Sequence, residues 1–237
     1  MNMGIISVSR LRGSGINPLF QNSQAYYKCD GSTSGVLLDS RNTFNGTLNG
    51  GITQGVTGFI NDAVESDGTS LSYLSIPRDT FDENNFSLSF WMYYSTSFSF
   101  QRVILRGTQQ SNPNGRNAGF LLSIDNLLSV TFFRDNSGSL QLDSDLILDS
   151  WNQIIIQKLN NNIKINVNNV EKINVTKSYT DTTSANDLYF GTIIDVDGNV
   201  ITNTSNTFLI DEIDIRKEQY TQEQRNELYN NGNGTTI

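Results

Sequence analysis

A chain of 237 residues with a formal charge of −8 lacks the basic footprint that nucleic acid or an anionic membrane surface requires, so neither is an expected partner. It has no histidine and a single cysteine, Cys29, which removes His-dependent triads, an internal disulfide and a multi-thiolate metal centre. Hydrophobic residues make up 36%, enough for a core, and no stretch approaches the roughly 18 to 20 apolar residues that span a bilayer, so membrane insertion is not expected.

Residues 1–24 mix Gly, Ser, Asn and Arg without a sustained period and contain no acid. They read as an amino-terminal arm ahead of one domain over 25–237. Arg10 and Arg12 oppose the acidic body and are the candidate docking residues of that arm; a disordered terminus is the alternative. The apolar run Ile5-Ile6 with Val8 is too short for a secretory signal. The expected site of synthesis and folding is therefore the cytoplasm.

From Ala25 the hydrophobic period is near two. Phe86, Leu88, Phe90, Met92 and Tyr94 share one parity, and Ser87, Ser89, Trp91 and Tyr93 the other, which is the pattern of a strand with one core face. Ile163, Ile165 and Val167 alternate with Lys164 and Asn166 in the same way. Further β-rich runs cover 71–76, 102–105, 119–124, 127–133, 151–159, 170–175, 188–194 and 207–215. Turn clusters rich in Asn, Asp and Gly separate them at 112–115, 135–138, 160–162 and 197–198. Near the end, Thr221 and Gln224 fit a capping box, and Asn230-Asn-Gly232 reads as a stop, which predicts a short helix. The expected fold is all-β: a two-sheet antiparallel jelly-roll sandwich with a short C-terminal surface helix.

The order of several motifs resembles the laminin-G-like branch of the concanavalin A-like jelly rolls. Ala25-Tyr-Tyr-Lys-Cys-Asp-Gly31 is similar to that family's first strand and acidic-glycine turn. Gly55-Val-Thr-Gly58 through Ala63-Val64, with Leu74-Ser-Ile-Pro77, resembles its approach to the second strand. Phe86 to Trp91 and Trp151 to Ile156 resemble its two tryptophan strands, which implies core positions for both indoles. Phe208-Leu-Ile-Asp-Glu-Ile-Asp-Ile215 followed by Tyr220 to Tyr229 resembles its last strand and helix. Together these matches span roughly 25–232. The resemblance implies a fold that serves sugar binding, protein binding, glycan hydrolysis or assembly, so a site has to be argued separately.

Three candidate sites follow. Asp211 shares parity with Leu209, Ile213 and Ile215, so in a regular strand its carboxylate points with the apolar face, where it needs hydrogen bonds or a cation. The resemblance implies a structural Ca²⁺ held by Asp30, Asp211 and carbonyls near Gly55 to Gly58; the alternatives are satisfaction by backbone amides or a bulge that turns Asp211 outward. Glycoside hydrolysis needs two carboxyl groups about 5 to 10 Å apart. Glu212-Ile-Asp-Ile-Arg-Lys-Glu218 superficially resembles the Glu-x-Asp-x-Glu strand of jelly-roll glucanases, but Arg216 stands third. Glu218 lies about 20 Å along the strand at about 3.3 Å per residue, and the position before it is Lys217. No catalytic residue is assigned. The third candidate is a ligand surface: Trp91, Tyr93 and Trp151 could stack on sugar rings, and the loop residues Asn112, Asn114, Arg116 and Asn117 are the preferred contacts.

The resulting expectation is a non-catalytic virion structural, decoration or fibre protein, foremost of a bacteriophage. It would be made in the host cytoplasm, oligomeric in its assembly, docked onto other virion proteins through the arm, and would display the jelly roll toward a cell-surface glycan. The rival is a free bacterial carbohydrate-binding or adhesion module, extracellular or at the cell surface; a glycoside hydrolase is third.

Overall fold

A computed structural model of the protein describes residues 18–31, 35–69, 71–80, 85–95, 100–108, 118–125, 130–133, 140–142, 146–176, 187–192, 194–195, 199–200 and 207–237. Among them, in chain order, are helix α1 (Pro18–Gln21) and strands β1 (Ser23–Tyr27), β2 (Val36–Leu37), β3 (Gly46–Asn49), β4 (Ile52–Thr57), β5 (Asp62–Asp67) and β6 (Tyr73–Ile76). Next come β7 (Asn85–Tyr94), β8 (Phe100–Thr108), β9 (Ala118–Asp125), β10 (Val130–Phe133) and β11 (Leu140–Leu142). The chain finishes with β12 (Ser150–Leu159), β13 (Asn162–Val167), β14 (Val170–Thr176), β15 (Leu188–Phe190), β16 (Thr207–Arg216) and helix α2 (Gln222–Tyr229).

The strands form two antiparallel sheets. The first runs β14-β13-β12-β7-β16-β5-β4, with β1 also paired to β16; the second runs β11-β10-β9-β8-β15-β6-β3-β2. The alternation read from the sequence decides which side chains lie between them. Phe86, Leu88, Phe90 and Met92 of β7, Ile154 and Ile156 of β12, and Ile163, Ile165 and Val167 of β13 are all buried in one core with Leu74, Ile76, Leu122, Leu188 and Phe190 of the second sheet. Phe90 meets Phe190 edge to face across the layers, with centroids 5.8 Å apart. Each such side chain contributes about 1.5–3 kcal/mol by leaving water. The predicted jelly-roll sandwich is therefore the observed fold.

Asparagine supplies the turn chemistry. Asn168 and Asn169 join β13 to β14 with φ of 48° and 63°, the pair of left-handed residues that a type I′ hairpin turn requires and that Asn tolerates better than most. The helix follows its sequence signature. Thr221 caps α2 through the Gln224 amide, the Gln224 side chain answers the Thr221 amide, and Asn230 closes the helix in the left-handed conformation.

One boundary differs from the sequence reading. Leu19, placed in the arm, is buried with Ile155, Tyr220 and Leu228, and Ile237 packs against them, forming a second small core on the outer face of the first sheet. Residues 18–24 thus belong to the domain, because α1 carries an apolar side chain that this face can bury. Arg10 and Arg12 lie outside the described residues. Among the described residues no helix is long and apolar enough to cross a membrane.

Candidate functional site

The site begins with an irregularity in β16. Against β7, Ile210 pairs with Met92 and Asp211 with Trp91, but the next pair is Asp214 with Ser89. Three steps on β16 match two on β7, so β16 carries a bulge, with Glu212 at φ 51°. An extra residue reverses the parity of everything beyond it. Phe208 and Ile210 face the core before the bulge, and Ile213 and Ile215 after it. The expectation that Asp211 points with the apolar core face is corrected accordingly. It lies beside Trp91 on the outer face of the sheet.

There Asp211 is fully buried and satisfied by backbone donors. Its Oδ2 accepts the N–H of Phe59 at 3.0 Å and of Ile60 at 2.8 Å, and its Oδ1 accepts the N–H of Glu212 at 2.8 Å. Burial pushes its carboxyl up to about 7 against the pull of these amides, and nearby Asp30 pushes the same way. Asp30 accepts the Asp62 N–H at 3.1 Å and the Asn61 side-chain amide at 3.3 Å. Calcium takes an oxygen shell. Here all four carboxylate oxygens meet N–H donors, and the 58–61 loop turns the amides of Phe59 and Ile60 toward Asp211, so both acids are satisfied by the protein's own donors.

What Asp211 holds is the β4–β5 turn. Gly58 donates to the Asn61 carbonyl at 2.9 Å; a Cβ on Gly58 would lie 2.5 Å from the Asp62 carbonyl oxygen and 2.9 Å from Asp211 Oδ2, so glycine alone fits. The turn carries Phe59, whose ring stacks on Trp91 with centroids 3.7 Å apart and planes at 18°. Tyr229, at the end of α2, lies parallel to the same indole at 5.9 Å. Gly234, with φ 67°, brings the C-terminal segment so close that a Cβ would sit 2.5 Å from the Phe59 ring.

These contacts leave Trp91 only 3% exposed, as a foundation and not a ligand surface. Trp151 is half-buried. It sits across from Tyr93 in the β12–β7 register, with the rings edge to face at 5.8 Å, and Phe59 leans toward it at 6.1 Å. The sequence reading placed both indoles at core positions; both instead occupy the outer face, since odd positions of β7 and β12 point away from the second sheet.

Trp151, Tyr93, Phe59 and Tyr229 wall a cleft of about 360 Å³ whose rim includes Ile147, Asp149, Ser150 and Asn168. The rim is tied to the sheet. Asn152 accepts the Ile147 N–H at 2.8 Å and donates to the carbonyls of Ile147 and Ser150 at 2.9 and 3.0 Å. Asn168 donates to the Asn152 side chain and accepts the Gln153 N–H, each at 2.9 Å. Asp149 is exposed and held at φ 51°, a conformation costly for most residues and tolerated by Asp. An apolar floor with a few fixed polar groups is the usual form of a small-ligand site. Aromatic faces suit the C–H faces of a pyranose, and the carboxylate, hydroxyl and amide suit its hydroxyls.

Of the residues singled out from sequence, the structure brings together Trp91, Tyr93 and Trp151. Asn112, Asn114, Arg116 and Asn117 lie outside the described residues. Phe59, Asp149, Asn168 and Tyr229 were missed; only the Asn168-Asn169 dipeptide, a turn signal between two alternating runs, offered a cue.

The acids after the bulge do different work. Glu212 meets the Tyr26 hydroxyl, which also contacts the Thr236 hydroxyl at 2.9 Å and accepts the Ile237 N–H at 2.9 Å. Asp214 accepts Arg216 Nε at 2.9 Å and the Tyr220 hydroxyl, while Arg216 also donates to the Leu19 carbonyl at 2.8 Å. Burial, with Asp214 adding to it, pushes the Glu212 carboxyl up to about 8. Both acids are at most 5% exposed. They secure α1 and the C-terminal segment to the sheet.

An antiparallel sandwich with such a cleft on one outer face is a lectin-like jelly-roll domain. The chain belongs to the concanavalin A-like lectin/glucanases superfamily, whose laminin-G model matches residues 67–224. No curated protein sequence matches it. Among solved structures it is similar to the botulinum neurotoxin serotype D binding domain, at 15% identity and TM-score 0.65 over 91% of this chain and 53% of that one. The receptor binding domain of the botulinum neurotoxin C/D mosaic serotype gives 16% and 0.64 over 89% and 51%. A mutant Trypanosoma rangeli sialidase displaying trans-sialidase activity gives 10% and 0.70 over 91% and 34%. The chain thus spans about half the length of the toxin domains and a third of the sialidase. At these identities the likeness is one of fold.

Proposed function

We propose that this domain is a non-catalytic glycan-binding module whose ligand site is the cleft at Trp151. The carrying observation is the half-buried Trp151–Tyr93 pair facing a rim that Asn152 and Asn168 hold rigid. Structural neighbours named as a receptor binding domain and a sialidase support a reading in which this fold presents a surface to receptors or sugars. The buried state of Glu212 and Asp214 supports the non-catalytic part, since hydrolysis needs two carboxyl groups reachable by substrate.

The setting proposed for the module is the surface of a virion, with the residues ahead of the domain, 1–17, as the docking arm and several copies in the assembly. The acidic, Asn- and Ser-rich composition and the absence of any disulfide support it; a free bacterial adhesion module is the rival. A glycan array with wild type and Trp151→Ala tests the core of the reading. Binding to at least one glycan, lost in the variant, is the expected result, and silence across the array would overturn it.

A further inference from the structure

We infer that residues 230–237 form a clasp on the wall of the cleft, and that Gly234 is a positioning residue of the site, acting through Phe59. The inference rests on the glycan-binding reading above and adds to it how the affinity of the cleft is set. The two amide bonds to Asp211 fix the backbone of the β4–β5 turn but leave the Phe59 ring free to rotate about its own side-chain bonds. Two contacts remove that freedom. Trp91 stacks on the ring with centroids 3.7 Å apart, and buried Gly234 packs so closely that a Cβ there would lie 2.5 and 3.1 Å from Cε1 and Cδ1 of Phe59 and 3.0 Å from Cδ1 of Ile60. A wall held in one rotamer before the sugar arrives binds more tightly than one the sugar has to order.

The clasp is anchored at both ends. Its backbone is left-handed at Asn230, Asn231, Gly232 and Gly234, with φ of 46°, 54°, 86° and 67°, a run that Asn and Gly tolerate and other residues resist. The Gly234 N–H donates to the Tyr229 carbonyl at 3.1 Å, the Asn230 side chain to the Gly234 carbonyl at 2.9 Å, and the Thr235 hydroxyl to the Glu227 carbonyl at 2.7 Å. Beyond it, the Thr236 hydroxyl and the Ile237 N–H meet the Tyr26 hydroxyl, which also meets Glu212. Gly234 thus lies between α2 on one side and β1 with β16 on the other, and rigid backbone, with no side chain to yield, meets Phe59.

Gly234→Ala adds one methyl at that contact. Gly35→Ala is its control: Gly35, just ahead of β2, has a φ of 76° and nothing within 4 Å of the place a Cβ would take, so it carries the same left-handed penalty without the clash. Wild type and both variants are compared by acrylamide quenching of tryptophan emission and by titration with the glycans that wild type binds on the array. The comparison is repeated for Gly234→Ala in a Phe59→Leu background, which lacks the ring atom the methyl would strike. Gly234→Ala should raise the quenching and weaken glycan binding by about three- to tenfold, and Gly35→Ala should do neither. In the Phe59→Leu background Gly234→Ala should change neither readout further, the non-additivity of a shared contact. Quenching equal to that of Gly35→Ala, or the full loss repeated in the Phe59→Leu background, would overturn the inference. Raised quenching with unchanged glycan affinity would also overturn it and leave the glycan site standing. Raised quenching in a protein whose wild type is silent across the array would remove the glycan reading and keep Gly234 as the support of Phe59. Should Gly234→Ala alone not fold, recovery of the fold in the double variant supports the contact, and failure of both overturns it.

Discussion

Asp211 accepts the backbone N–H of Phe59 at 3.0 Å across 152 residues of sequence, and in doing so sets the ring that covers Trp91. The carboxylate sits beside Trp91 in the β16–β7 register, so one side chain fixes both the height of the β4–β5 turn and the aromatic wall of the cleft. It positions; it does not contact a ligand.

Asp211→Ala should therefore destabilise the fold by about 2–4 kcal/mol, because three amides lose a buried acceptor. Urea denaturation measures the loss. Tryptophan emission should shift to the red as Phe59 leaves the indole. A change below about 0.5 kcal/mol would mean that the turn holds itself.

Chelation should leave the melting temperature unchanged, and added calcium should not raise it, since the oxygens of Asp30 and Asp211 already meet N–H donors. Thermal denaturation with and without chelator decides this. A rise of several degrees with calcium would show that the ion displaces the amides.

Stability should fall as the solution becomes alkaline. Burial holds Asp211 near 7 and Glu212 near 8 when folded, whereas unfolded carboxyls release their protons near 4. Between these values the native state binds more protons than the unfolded one, so its advantage is complete at low pH and is lost as pH rises through about 7 and about 8. Denaturation midpoints from pH 5 to 9 should trace that decline. Glu212→Gln, which is neutral throughout, should flatten its upper part; an unchanged slope in that variant would assign the titration elsewhere.

The two tryptophans should separate structure from binding. Trp91→Ala empties a stacked, covered position and should cost about 3–5 kcal/mol. Trp151→Ala truncates a half-buried ring and should cost markedly less, about 1–2 kcal/mol, while removing the ligand surface. Equal losses of stability would place Trp151 in the foundation as well.

Much of the architecture is local information. Phe86 to Met92 and Ile163 to Val167 alternate because strand side chains alternate, and that pattern survives whatever the partner strand is. Thr221 and Gln224 cap α2 through atoms a few bonds away. The acidic, histidine-free composition and the lone Cys29 likewise bound the chemistry before any fold is known.

The site is different in kind. Whether Asp211 faces the core depends on one extra residue at Glu212, and the strand sequence is compatible with either register until β7 and β1 pair with it. Phe59, Trp91, Trp151 and Tyr229 come from a turn, two strands and a helix end, and no periodicity links them. Residue types along the chain thus determined the sheets and excluded whole classes of chemistry, while the cleft came only from packing, because the contacts that shape it join segments that meet once both layers have closed.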